Sequence, residues 1–432
     1  MVQLPADDRA RIEHCLSTGD LTQATRLSEA LLAAHPGDAE VQSLHASVLM
    51  ARGDWATAEE RLGRLVGRSD APYAAKARLA LTRTRLGDRD GALAAYRMAL
   101  AERPGDFVQR LAYAECLAGV GNADEALPQF FRAVCDAQKA GRWLSDDSTP
   151  PHLRMRVREA MATIDVGRRT LFERVLDRHL AAFGLDAMQR VRTALAAYLN
   201  LEQVPDDDPR QRPLFFRMTG LPATPYFDRA LFPWYEVLES ATADIRDELR
   251  AVLGSDAGLI PFLGERDPDI TAPYLGGDPA SRSWDAYFLH RHGRRFDEHL
   301  AKCPRTEAAL SQVPLTVVRD HAPEVLFSVL SPGTHIKPHH GVTNTRVVTH
   351  LPLIIPEGDC QLVVGGQPHG WREGRCITFD DTFLHEAWNR TAHRRVVLIL
   401  DTWNPYLTEP ERIALKDLVE QIGDFNLRAS AG

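Results

Sequence analysis

Imidazoles are the side chains best suited to hold a catalytic metal in this sequence, and four of them fall between Ser331 and His350. The stretch reads SPGTHIKPHHGVTNTRVVTH, with His335, His339, His340 and His350, and His385 follows in FDDTFLHEAWN. A first-row metal takes imidazole and oxygen ligands, and a catalytic centre keeps positions open for substrate and dioxygen, so two or three protein ligands suffice. The familiar pattern is a histidine, a carboxylate two residues on and a distant second histidine. Here His339 is followed in the carboxylate place by Gly341. His339 and His340 are adjacent, and neighbouring strand residues face opposite sides, so only one of them points inward. Ten residues after His385 stands Arg395, at the start of the apolar run VVLILDTW. If His385 begins one strand and the chain turns through NRTAH, Arg395 enters the next strand and points into the same interior. A buried guanidinium there needs an anion, and a dicarboxylic cosubstrate would be held bidentately. The competing reading leaves Arg395 on the outer face beside Arg394, in water.

The elements that must position these residues are short strands. VLFSVL, RVVTHLPLIIP, CQLVVG, GRCITFDD and RRVVLILDTW are β-rich runs separated by turn residues. Many short strands without long intervening helices favour a sandwich, jelly roll or barrel over a doubly wound sheet. The expected fold class is α + β multidomain, with a double-stranded β-helix (jelly-roll) catalytic domain over residues 205–432.

The first third is repetitive. Gly19-Asp20, Gly53-Asp54, Gly87-Asp88 and Gly121-Asn122 recur every 34 residues, each followed by an alanine at 24, 58, 92 and 126. Ile12, Ala46, Ala80 and Ala114 precede the glycines by a constant interval, and Pro36 and Pro104 follow the first and third. Small residues let two antiparallel helices approach, glycine permits the turn and proline closes the second helix. This pattern resembles the tetratricopeptide repeat, with departures at Ile12 and at Asp70 in the proline slot. The expected solenoid spans 1–140, followed by a helical cap or linker at 141–204; the proline-rich, acidic EQVPDDDPRQRP that comes next is the expected domain boundary. Such an arm offers a concave surface for a peptide or protein, or packs against its own catalytic domain.

Composition excludes some partners. At 432 residues the chain exceeds one ordinary core. Net charge is −8, which gives no reason to expect nucleic acid. No run reaches the ~20 apolar residues a membrane span requires, and a cytoplasmic location is expected. The 6 cysteines lack CxxC spacing, so reduced thiols are expected.

The strings FSVLSPGTHIKPHHGVTNTRVVTHLPL, GWREGRCITFDDTFLHEAWN and RRVVLILDTWNP resemble the aspartyl/asparaginyl β-hydroxylase family, over roughly 212–412. The resemblance implies an oxygenase using iron(II), 2-oxoglutarate and O2, with succinate and CO2 as products. It places the metal histidines at His339 and His385, and makes Gly341 the family's replacement for a carboxylate ligand. It also implies that Arg395 and Ser328 bind the distal carboxylate of 2-oxoglutarate, that His350 lies beside the cosubstrate, and that Arg346 binds substrate. His335, His340, His369 and His393 match no metal position. Asp380 and Asp381 precede His385, and Asp381 is assigned the role of orienting its ring. Val348 and Leu326 stand where the animal enzymes carry an arginine and a lysine. Each lost charged hydrogen bond is worth about 2–3 kcal/mol, so the expected substrate is an aspartyl, asparaginyl or related carboxylate- or amide-bearing group different from theirs. It is a protein, peptide or small molecule, with presentation by the repeats as one route. Two alternatives stay open: a repeat-bearing adaptor with a non-catalytic barrel, and a cupin-type metalloenzyme that does not use 2-oxoglutarate.

Overall fold

The computed structural model describes residues 6–205, 208–255 and 258–430. One compact unit is built from the chain up to Arg169 together with the segment from Asp424 on; the second runs from Thr170 to Gly423.

In the first unit the 34-residue period becomes paired helices: α1 (Ala6–Thr18), α2 (Leu21–Ala34), α3 (Ala39–Ala51), α4 (Trp55–Val66), α5 (Tyr73–Leu86), α6 (Arg89–Glu102), α7 (Phe107–Gly119) and α8 (Ala123–Lys139). The turn within each pair has one recipe. Gly19, Gly53, Gly87 and Gly121 all have φ between +78° and +82°, which a side chain would resist. The next residue then caps the following helix: Asp20, Asp54, Asp88 and Asn122 accept from the amides of Gln23, Thr57, Gly91 and Glu125. Ala46, Ala80 and Ala114 are fully buried where paired helices meet, and Ile12 fills the equivalent place in the first repeat. Asp70, in the proline slot of the second repeat, pairs with Arg68.

The second unit carries the strands: β1 (Ile260–Pro261), β2 (Leu275–Gly276), β3 (Trp284–Arg291), β4 (Arg294–Arg295), β5 (Val325–Leu330), β6 (Thr334–His339), β7 (Arg346–Ile354), β8 (Cys360–Val364), β9 (Gln367–Gly370), β10 (Ile377–Phe379), β11 (His385–Asn389) and β12 (Arg395–Trp403). They form two open antiparallel sheets. The larger is ordered β1-β3-β5-β12-β7-β10, with β4 on β3; the smaller is β2-β6-β11-β8-β9. This corrects the expected double-stranded β-helix (jelly roll), which requires the sheets to close into a barrel. Closure needs edge strands long enough to carry a ladder from one sheet to the next. Here the edges are β1, β2, β4, β9 and β10, of two to four residues. Pro261 and Pro368 further remove edge donors. Instead, single bridges such as Tyr226 to Phe379 cover an edge.

Strand periodicity separates the two faces of the large sheet. Val325, Phe327 and Val329, then Val396, Leu398 and Leu400, then Val347, Leu351 and Leu353 face one apolar core shared with helices. The alternate residues, Leu326 and Ser328, Arg395, Ile399 and Asp401, and Arg346, Val348 and His350, face a cavity between the sheets. Among the described residues no helix is long and apolar enough to cross a membrane.

Candidate active site

The cavity encloses about 170 Å³ and is lined from both sheets. The small sheet contributes the imidazoles. β6 ends on His339 and β11 begins on His385, and the antiparallel register pairs these two residues directly. Their rings lie 4.0 Å apart, centre to centre. The Nδ1 of His339 faces the carbonyl of Lys337 at 2.8 Å, and that of His385 faces the carbonyl of Phe383 at 3.1 Å. A carbonyl can only accept, so each Nδ1 carries the proton and each Nε2 keeps its lone pair. Burial, then the neighbouring His339, pushes His385 down to about 3, and burial lowers His339 as well. Both rings are thus neutral and ready to donate electron pairs. Among the described residues no group of three or more His, Cys, Asp or Glu side chains gathers as a metal cage. His335 pairs with Glu386 at 2.6 Å, and His340 faces the carbonyl of Thr382.

Gly341 explains why the pair has no third companion from its own segment. A Cβ there would collide with the carboxylate of Asp381, while the Gly341 amide donates to the Asp381 carbonyl at 2.6 Å. Gly341→Ala is therefore expected to destabilise the fold by about 1–3 kcal/mol. Chemical denaturation should also show most of that loss recovered when Asp381→Ala is added, as contacting residues couple. Additive losses would contradict the contact.

The large sheet contributes a cationic end. Arg395 is 1% exposed, and its Nε and Nη1 have no hydrogen-bond partner. Its guanidinium lies over the ring of Trp371, 4.8 Å from the centroid. Burial pushes it down to about 10. Arg394, its neighbour, is exposed. On the adjacent strand the hydroxyl of Ser328 accepts from the indole of Trp284 at 2.9 Å. His350 Nδ1 accepts from Trp371 Nε1 at 3.3 Å, and burial, then Arg395, holds this ring well below the ordinary histidine range.

Arg346 sits differently. It is cross-strand from Trp403, donates to Asp401 at 2.9 Å, and lies 3.7 Å from Asp381. Asp381, expected behind His385, is turned toward Arg346 instead; its Oδ1 is buried without a partner. Glu324 and Asp401 also line the cavity, as do the apolar Leu326 and Val348. Trp284, Trp371, Glu324 and Asp401 were not anticipated. For Asp401 a signal existed: a carboxylate inside the apolar run VVLILDTW is a buried charge needing a reason.

The chain matches known families in both of its parts. The family described as Aspartyl/Asparaginyl beta-hydroxylase matches residues 239–405, and a tetratricopeptide repeat family matches residues 9–133. The chain is 35% identical over 209 residues to Homo sapiens "Aspartate beta-hydroxylase domain-containing protein 2", covering 48% of this chain and 54% of that protein. The Xenopus tropicalis protein of the same name is 34% identical over 212 residues, covering 48% and 55%. "Ornithine lipid ester-linked acyl 2-hydroxylase" of Rhizobium tropici is 36% identical over 191 residues, covering 44% and 63%. The chain thus spans about half the length of the first two. It carries an aspartyl/asparaginyl beta-hydroxylase family domain following an N-terminal tetratricopeptide-type repeat region.

Proposed function

We propose that the chain is an iron(II)- and 2-oxoglutarate-dependent hydroxylase. The observation that carries this reading is Arg395, a fully buried guanidinium with two unpartnered N–H groups on the wall of the cavity that holds the imidazole pair. Leaving such donors unsatisfied is unfavourable unless a ligand completes them. A carboxylate is a matching, charge-assisted acceptor for such donors. The two histidines, with Nε2 lone pairs free and rings in contact, fit a first-row metal that keeps several positions open. His339 and His385 would hold iron(II), and Arg395 with Ser328 would hold the distal carboxylate of 2-oxoglutarate. When bound, these groups with O2 supply the oxidising chemistry for C–H hydroxylation, with succinate and CO2 as products.

The protein's own share is positional. The carbonyls of Lys337 and Phe383 fix the ring orientation and tautomer of the two imidazoles. Trp371 stacks on Arg395 and also donates to His350, so one indole sets both groups beside the cosubstrate. Trp284 occupies the Ser328 hydroxyl as acceptor, which turns its own O–H outward as a donor for an anion. Leu326, Val348, Ile336 and Leu362 limit water in the cavity. The substrate group would bind at the Arg346 end of the cavity. Succinate formation from 2-oxoglutarate by the iron(II)-loaded chain in air is the direct test; no iron-dependent succinate would contradict the reading.

A further inference from the structure

The polar groups of the cavity are divided by charge. At Arg395 there is a cation, and among the described residues no carboxylate pairs with it. At Arg346 the balance reverses. That single guanidinium meets Asp401 at 2.9 Å and Asp381 at 3.7 Å, and Glu324 stands on the same wall, its amide donating to Asp401 at 3.0 Å. Asp401 and Asp381 therefore share one guanidinium, while the Oε1 of Glu324 is tied to the His292 amide at 2.6 Å and faces the His292 ring at 2.9 Å. Two of these carboxyl oxygens remain unpartnered: the Oδ1 of Asp381, a residue 7% exposed, and the Oε2 of Glu324. The apolar Leu326 and Val348 beside them add no donor.

Such an arrangement disfavours an incoming carboxylate, because Arg346 is already engaged and each orphan atom belongs to a carboxyl, which accepts whenever it is ionised. It attracts a donor. We infer that the substrate group bound at the Arg346 end is cationic, an ammonium or guanidinium, which donates to Asp381 Oδ1 and Glu324 Oε2. The inference deepens the hydroxylase reading and rests on it only for what binds at Arg395. It moves the substrate class from carboxylate-bearing toward amine-bearing molecules. Burial, with Asp401 as a like charge, pushes Glu324 up to about 7, and a bound cation relieves that penalty.

Ligand-observed NMR tests this at pH 7.5 and constant ionic strength on the full chain carrying Arg395→Met, which removes the other anion site, with n-butylammonium, butyramide and butyrate as probes; the unsubstituted chain is kept for 2-oxoglutarate. Butylammonium should bind at least ~10-fold more tightly than butyrate, with butyramide between them. Asp381→Asn and Glu324→Gln should each weaken butylammonium by about 10-fold, while thermal unfolding confirms that both variants remain folded. In parallel samples, 2-oxoglutarate is titrated into the anaerobic iron(II) protein. Butylammonium binding without 2-oxoglutarate binding would end the hydroxylase reading and leave this inference standing. Equal or tighter butyrate binding, absence of butylammonium binding, or butylammonium binding that survives both substitutions would overturn the inference, whatever 2-oxoglutarate does.

Discussion

Replacing His385 with alanine is expected to abolish iron(II)-dependent conversion of 2-oxoglutarate to succinate, a loss on the order of 10³-fold or more, or about 4 kcal/mol in barrier. A metal held by only two imidazoles has no redundancy. The register makes His385 and His339 direct cross-strand neighbours, so losing either ring halves the protein's donor set. His339→Ala should therefore match it. His340→Ala provides the internal contrast: its Nδ1 is tied to the Thr382 carbonyl, and turnover should persist. Succinate assays on the three variants check this, with circular dichroism to confirm folding. Iron-dependent turnover that survives both His339→Ala and His385→Ala would remove the metal assignment.

Arg395→Met should separate binding from stability. In the free protein Arg395 carries a buried charge without a counter-ion, offset in part by Trp371. An apolar side chain of similar length removes that penalty, so the unfolding midpoint should stay level or rise. The variant loses the fork that receives a carboxylate, and losing one partner of a buried charged pair costs about 2–5 kcal/mol. The apparent 2-oxoglutarate affinity should fall by roughly 10²-fold or more. Differential scanning fluorimetry and calorimetry read the two effects on the same sample. A lower midpoint with intact 2-oxoglutarate binding would mean that Arg395 is a structural residue, engaged within the fold.

Local patterns in the sequence were the most legible. The glycine and cap pairs at 34-residue spacing specify the helical turns by themselves, because left-handed φ and an N-cap acceptor are properties of single residues. The runs VLFSVL and RVVLILDTW became β5 and β12; alternation fixes the phase within each strand, and their register then puts Ser328 and Arg395 on one face. Sheet closure was not legible. It depends on how far edge strands pair, and the two-residue β1 and β2 leave almost no trace in composition. Pairing across distance was hidden too. Asp401 meets Arg346 only because β12 lies beside β7, and Asp381 reaches the same guanidinium only because Gly341 leaves it room. So the histidines and Arg395 were readable from motif and strand phase. The acidic surroundings of Arg346 needed coordinates.

Anaerobic titration of 2-oxoglutarate into the iron(II)-loaded chain, followed by visible absorption, probes the two ends of the proposed centre at once. A metal-to-ligand charge-transfer band should grow to saturation in the unsubstituted chain, shift to much higher 2-oxoglutarate concentration in Arg395→Met, and vanish in His385→Ala. No band in the unsubstituted protein, or one indifferent to both substitutions, would contradict the joining of imidazole pair and guanidinium into one site.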